Sequence, residues 1–157
     1  MAAAKTMNAR DAVSGALAEC YVTIAGKRYR FMQLINFQSG VTKEKSEVPI
    51  LGRTGKGHKS SNWKGSFKGL AHYNQSVLRQ LLLDYKNNGE DLYFDIQVTN
   101  DDPGSAVGRQ TIVHKGCNIN GGTLARFDAN ADFLDETIEG TFDDWEMPEK
   151  FRLLEGM

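Results

Sequence analysis

The chain has 157 residues, 40% of them hydrophobic and 25% charged, with a formal net charge of −1. That length predicts one domain over residues 1–157 with a sizeable core, and that balance excludes a disordered chain. No apolar run approaches the ~20 residues of a membrane-spanning helix, so stable membrane insertion is not expected.

From the N-terminus, residues 1–10 lack the apolar stretch of a signal peptide, which points to synthesis and retention in the cytoplasm. They read instead as a flexible arm. Cys20–Ile24 and Tyr29–Ile35 flank Ala25-Gly26-Lys27, a glycine turn suited to a hairpin. Residues 52–61, Gly-Arg-Thr-Gly-Lys-Gly-His-Lys-Ser-Ser, read as an extended polar connection. Strict alternation follows: Trp63, Gly65, Phe67, Gly69, Ala71 and Tyr73 on one face, Lys64, Ser66, Lys68 and His72 on the other. That is a half-buried strand.

The period then changes. Val77, Leu78, Leu81, Leu82 and Tyr85 make a helical stripe, with Asn74 or Ser76 as N-cap and Asn87-Asn88-Gly89 at its end. Leu92, Phe94, Ile96 and Val98 return to alternation, and Asn100–Ala106 is a turn-dense loop around Asp-Pro-Gly. Gly108–Asn118 reads as a strand that Asn120-Gly121-Gly122 turns back, and Ile138, Gly140, Phe142 and Asp144 form the apolar phase of the last alternation. The fold class is mainly β: an antiparallel sandwich or barrel of about seven or eight strands with one flanking helix.

Chemistry is sparse. Gly52-x-x-Gly55-Lys56 has the wrong spacing for a phosphate loop and no helix after it. Asp128-x-Asn130-x-Asp132 with Glu139 matches a calcium-loop register, but Phe133 stands where the sharp bend needs glycine. Cys20 and Cys117 fit neither a disulfide framework nor a zinc site and read as small buried hydrophobes. His58, His72 and His114 lack partners at catalytic spacing and read as partly exposed residues. No enzyme, cofactor or metal site is expected. Trp63, Trp145, Tyr21, Tyr29 and Phe31 leave open a monomeric β-barrel binding single-stranded nucleic acid or another ligand. Charge is segregated: residues 41–70 hold seven bases against two acids, and residues 128–157 ten acids against two bases. Such a chain can attract copies of itself head to tail, or simply expose two solvated faces.

The run Asp91-Leu-Tyr-Phe-Asp-Ile-Gln-Val-Thr-Asn-Asp-Asp-Pro-Gly-Ser-Ala-Val-Gly-Arg-Gln-Thr111 resembles the XkdM-type tail tube proteins of contractile phages, PBSX-like defective prophages and phage-tail bacteriocins. Glu47–Lys59, Trp63-Lys-Gly-Ser, Val77–Tyr85 and Ala125–Asp132 agree in order, so the likeness spans roughly residues 11–151. The resemblance implies a structural subunit that forms six-membered rings, stacked into a hollow conduit for DNA passage or membrane puncture. Implied partners are other copies of the chain, the contractile sheath, baseplate and tail-terminator proteins, the tape-measure protein in the lumen during assembly, and phage DNA passing without specific binding. The implied location is the virion tail.

On that resemblance, residues 52–61 match an inter-subunit or inter-ring loop, with Arg53, Lys56, His58 and Lys59 as contact residues. Glu139, Thr141 and Asp143 are candidates for an acidic lumen wall or a stacking face. Arg79, Tyr85 and Lys86 are candidates for an outer helix face toward the sheath.

Overall fold

A computed structural model describes residues 5–157, so the first four residues of the expected N-terminal arm lie outside the described residues. The fold is mainly antiparallel β with one helix. Its contacts divide into two compact units, each assembled from separated segments.

Among the described residues, the first unit comprises residues 5–32, 94–115 and 145–157. Strands β1 (Ala18–Ile24) and β2 (Lys27–Arg30) pair antiparallel up to Ile24↔Lys27. Ala25 and Gly26 therefore form a two-residue turn, with φ of 50° and 78°, whose twist matches the flanking strands. The expected second strand stops at Arg30, short of Ile35. On the other side of β1 lies β5 (Phe94–Asp101), in register from Ala18↔Asn100 to Thr23↔Asp95. β6 (Arg109–Ile119) neighbours β5, and β8 (Asp144–Glu149) pairs with β6.

Val22, Ile24, Phe94 and Ile96 make this unit's core. The alternation in β5 predicts Val98 inside, yet Thr99 is buried and Val98 only half-buried. The Thr99 and Thr111 hydroxyls lie 3.0 Å apart, which satisfies both and makes burial cheap. His114 is also buried rather than partly exposed, its Nδ1 3.0 Å from the Ile96 carbonyl. Asp102 organises the expected loop corner by accepting from the Gly104 amide at 2.9 Å. A 3-10 turn, Ala9–Asp11, is tied to that loop: Asp11 accepts from the Ser105 hydroxyl and the Ala106 amide.

The second unit comprises residues 33–93 and 116–144. β3 (Leu34–Val48), β4 (Gly57–His72) and β7 (Asp135–Phe142) are antiparallel neighbours, joined by the last residues of β6. Three rows cross the buried face: Val41–Gly65–Phe142, Ser39–Phe67–Gly140 and Phe37–Gly69–Ile138. Each row contains a small residue beside a large one. A Cβ on Gly65 would strike the Phe142 ring, and one on Gly140 would strike Phe67 and the Asn118 carbonyl. The glycines of the alternating segments are thus sockets for rings, and Phe37 stacks on Phe67 at 5.8 Å between centroids.

Helix α1 (Val77–Asn88) buries Leu81 and ends at Gly89 in the left-handed conformation, with the Gly89 amide donating to the Tyr85 carbonyl. Ser76 occupies the N-cap position but makes no side-chain capping bond. The turn expected at Asn120-Gly121-Gly122 is instead the start of a long connection, because β7 begins only at Asp135.

Candidate functional site

Three features of the second unit carry the residues singled out by the sequence. The first is the outward side of its sheet. Antiparallel partners share a face, so the register sets Gly40, Ser66, Thr141 and Asn118 in one row, and Gln38, Lys68 and Glu139 in the next. Glu139 and Thr141 sit together on this exposed face. Asp143 does not join them. β7 ends at Phe142, and the Asp143 carboxylate turns against Gly116, whose lack of a Cβ leaves it room. Nor is the face acidic, since Glu139 stands beside Lys68 and the neighbouring rows carry Lys64 and neutral amides and hydroxyls. The alternation hid this, because the lysines and the acids come from strands far apart in sequence.

The second feature is an arm. β7 stops opposite Gly65, while β3 and β4 continue as a two-stranded ribbon from Thr42↔Lys64 to Val48↔Gly57. At ~3.3 Å per residue this ribbon extends about 20 Å beyond the sheet. The expected polar loop over residues 52–61 is therefore shorter than its composition suggests. Residues 57–61 are strand, because the partner strand supplies pairing that glycine, lysine and serine would not specify alone. Arg53 and Lys56 sit in the tip, whereas His58 and Lys59 sit on β4 opposite Glu47 and Ser46. All four are exposed.

A bulge at Glu44/Lys45 bends the ribbon, and Glu44 holds it. Its carboxylate accepts from Lys64 Nζ at 2.7 Å and Asn62 Nδ2 at 2.9 Å, and its carbonyl accepts from the Ser61 hydroxyl at 3.1 Å. Those bonds keep the Glu44 carboxyl below the usual carboxylate range and raise the Lys64 ammonium. Lys56 pairs with Glu47 at 3.2 Å. The tip also carries Val48, Ile50 and Leu51, all exposed. Composition masked that apolar group behind the glycines and lysines; the signal was the run Val48-Pro-Ile-Leu51 beside a turn.

The third feature is the helix and the connection beside it. Arg79, expected to face outward, turns in. Its guanidinium pairs with Glu136, donates to the Thr123 carbonyl at 3.2 Å and to the Gln75 carbonyl, and covers the Tyr73 ring at 4.3 Å. Glu136, buried on β7, needs a cation, and Arg79 is the one placed to supply it. Tyr85 and Lys86 are exposed, although Tyr85 belongs to the apolar stripe. In the 120–134 connection, Arg126 is 3.2 Å from Asp135, and Asp128 accepts from the Asn130 amide at 3.0 Å. Of the calcium-like register, Asp128 thus serves a turn and Glu139 the polar face, while Asp132 is exposed. Among the described residues no group of three or more His, Cys, Asp or Glu is arranged to hold a metal. No helix among them is long and apolar enough to cross a membrane. Burial pushes the Cys20 thiol up to about 12, and Cys117 is buried, which fits packing rather than reactivity.

A family model described as phage tail tube protein matches residues 5–149. This chain belongs to the phage tail tube protein family. It is 32% identical over 135 residues to the phage-like element PBSX protein XkdM of Bacillus subtilis strain 168, covering 82% of this chain and 92% of that one. It is 30% identical over 137 residues to YqbM of the same strain, covering 83% and 93%. Among solved structures, this tube protein's fold is similar to a chain in the anti-feeding prophage baseplate, with a TM-score of 0.64 at 15% identity, covering 87% and 94%. The SPP1 tail tube gives 0.62 at 8% identity, covering 90% and 81%. A chain of an extracellular contractile injection system sheath–tube complex gives 0.60 at 13%, covering 82% and 86%. The chain is a structural subunit of a tail tube.

Proposed function

We propose that this tail tube protein polymerises as stacked six-membered rings into the inner tube of a contractile tail or phage-tail-like particle, a hollow conduit for DNA passage or membrane puncture. The observation that carries this reading is the arm, a ribbon with an exposed apolar tip and no support from its own sheet. An isolated two-stranded ribbon is marginal in water, so such an arm gains its purpose when another molecule covers it.

The polar face supplies the wall. Hydroxyls, amides and offset charges hold water at a surface and offer a passing polyanion no continuous basic track. DNA transits such a lumen without specific binding, and a tape-measure protein occupies it during assembly. Arg53, Lys56, His58 and Lys59 make the contact between copies, and Tyr85 and Lys86 on the helix face the sheath. Baseplate and terminator proteins close the two ends, and the subunit is made in the cytoplasm of the host cell.

Sedimentation velocity over a wide concentration range tests polymerisation. Growth into large, regular species above a threshold is expected. A monomer throughout, together with tight salt-sensitive binding of single strands, contradicts the tube and favours a nucleic-acid-binding barrel.

A further inference from the structure

The 120–134 connection contains an anomaly that its own fold does not explain. Arg126 bonds Asp135 through both the side chain and the carbonyl, which closes residues 126–135 into a loop. Asp128 organises the loop's corner, accepting the Asn130 amide on its carboxylate and the Ala131 amide on its carbonyl. A loop built this way could turn its phenylalanines inward. Instead Phe127 is 92% and Phe133 82% exposed, with Leu124 beside them in sequence at 71%. Soluble surfaces tolerate single apolar residues, but two fully presented rings on a tied loop mark a contact.

We propose that this loop receives the arm tip of a second copy, with Leu51 and Ile50 seated against Phe127 and Phe133. This contact rests on the tube reading above. Charge selects the occupant. The arm, residues 43–59, carries five bases against Glu44 and Glu47, and both acids are already engaged by Lys64 and Lys56. The loop's one base, Arg126, is taken by Asp135, leaving Asp128 and Asp132 as its outward charges. An apolar tip with Arg53 beside it in sequence and Lys59 on the adjoining strand, and an aromatic loop whose sequence carries Asp128 and Asp132, are complementary in both respects. The two patches are different, so the contact is heterologous and propagates from copy to copy rather than closing a pair.

Two full-length variants, Leu51→Cys and Phe127→Cys, test the contact by mild oxidation, separately and mixed. A disulfide-linked dimer that forms in the mixture, and far less in either variant alone, is expected. Dimers of equal yield in the separate samples overturn the proposal. As a second measurement, Leu51→Ser and Phe127→Ser are each expected to raise the assembly threshold about tenfold or more, with an unchanged melting temperature. Variants that assemble at the wild-type threshold, beside wild-type tubes that form normally, overturn this contact and leave the tube standing. A wild-type chain that never assembles overturns the tube, and the contact with it.

Discussion

Gly65 and Gly140 do the work of sockets, each accepting a ring from the neighbouring strand. Gly140→Ala is predicted to cost about 2 kcal/mol, since the methyl group meets both a ring and a carbonyl. Gly55, with open space around it, is the control: Gly55→Ala falls within about 0.5 kcal/mol in the same urea titration. Arg79 and Glu136 form a mostly buried pair, with side chains 18% and 9% exposed. Removing one partner strands the other's charge, so Arg79→Ala costs about 3–5 kcal/mol, and Arg79→Met with Glu136→Leu recovers much of it. His114 gives the chain a pH dependence. Burial lowers its pKa below the unfolded value near 6.5, so the unfolded chain takes up a proton first as pH falls. Stability attributable to His114 is therefore intact above that value and declines below it until the folded pKa is reached. Melting temperatures measured from pH 7.5 to pH 5 check this: His114→Gln flattens the decline.

At the scale of elements, the arm separates folding from assembly. Replacing residues 45–60 with an Asn-Gly turn keeps every row of the second unit's core. The shortened chain is predicted to melt within a few degrees of the full one while failing to form large species in sedimentation. Strands β4 and β7 were legible, because glycine, phenylalanine and isoleucine alternate cleanly along them, whereas β3, with its mixed polar run, was not. The helix was legible from its stripe, its end from Gly89. Residues 57–61 were not, since their strand character comes from β3. Arg79 was misplaced for a related reason: a helical stripe says which residues are apolar, while the buried Glu136 that draws Arg79 inward lies 57 positions away. Asp143 continued an alternation whose strand had already ended. Thr99 displaced Val98 from the expected phase because Thr111, on another strand, satisfies its hydroxyl.

For the whole molecule, the sequence carried a basic stretch and an acidic stretch, and the structure divides each between tasks. Among the bases, Lys64 and Lys56 brace the arm and Lys68 joins the polar face, leaving Arg53 in the tip and Lys43, Lys45 and Lys59 along the ribbon. Among the acids, Glu136 is buried and Asp135 ties the loop. The charge asymmetry therefore acts locally, at one contact, and the segregation along the chain overstates it. If that contact is electrostatic at its rim and apolar at its centre, raising the salt from about 0.05 M to 0.5 M weakens assembly only severalfold, because screening removes the rim term alone. The central claim is that copies of this chain build a hollow tube. Negative-stain electron microscopy of the purified protein, at low and high concentration, tests it most directly. Rings or tubes of uniform width with a stain-filled channel are the predicted result; solid aggregates, or isolated particles of monomer size at every concentration, would contradict it.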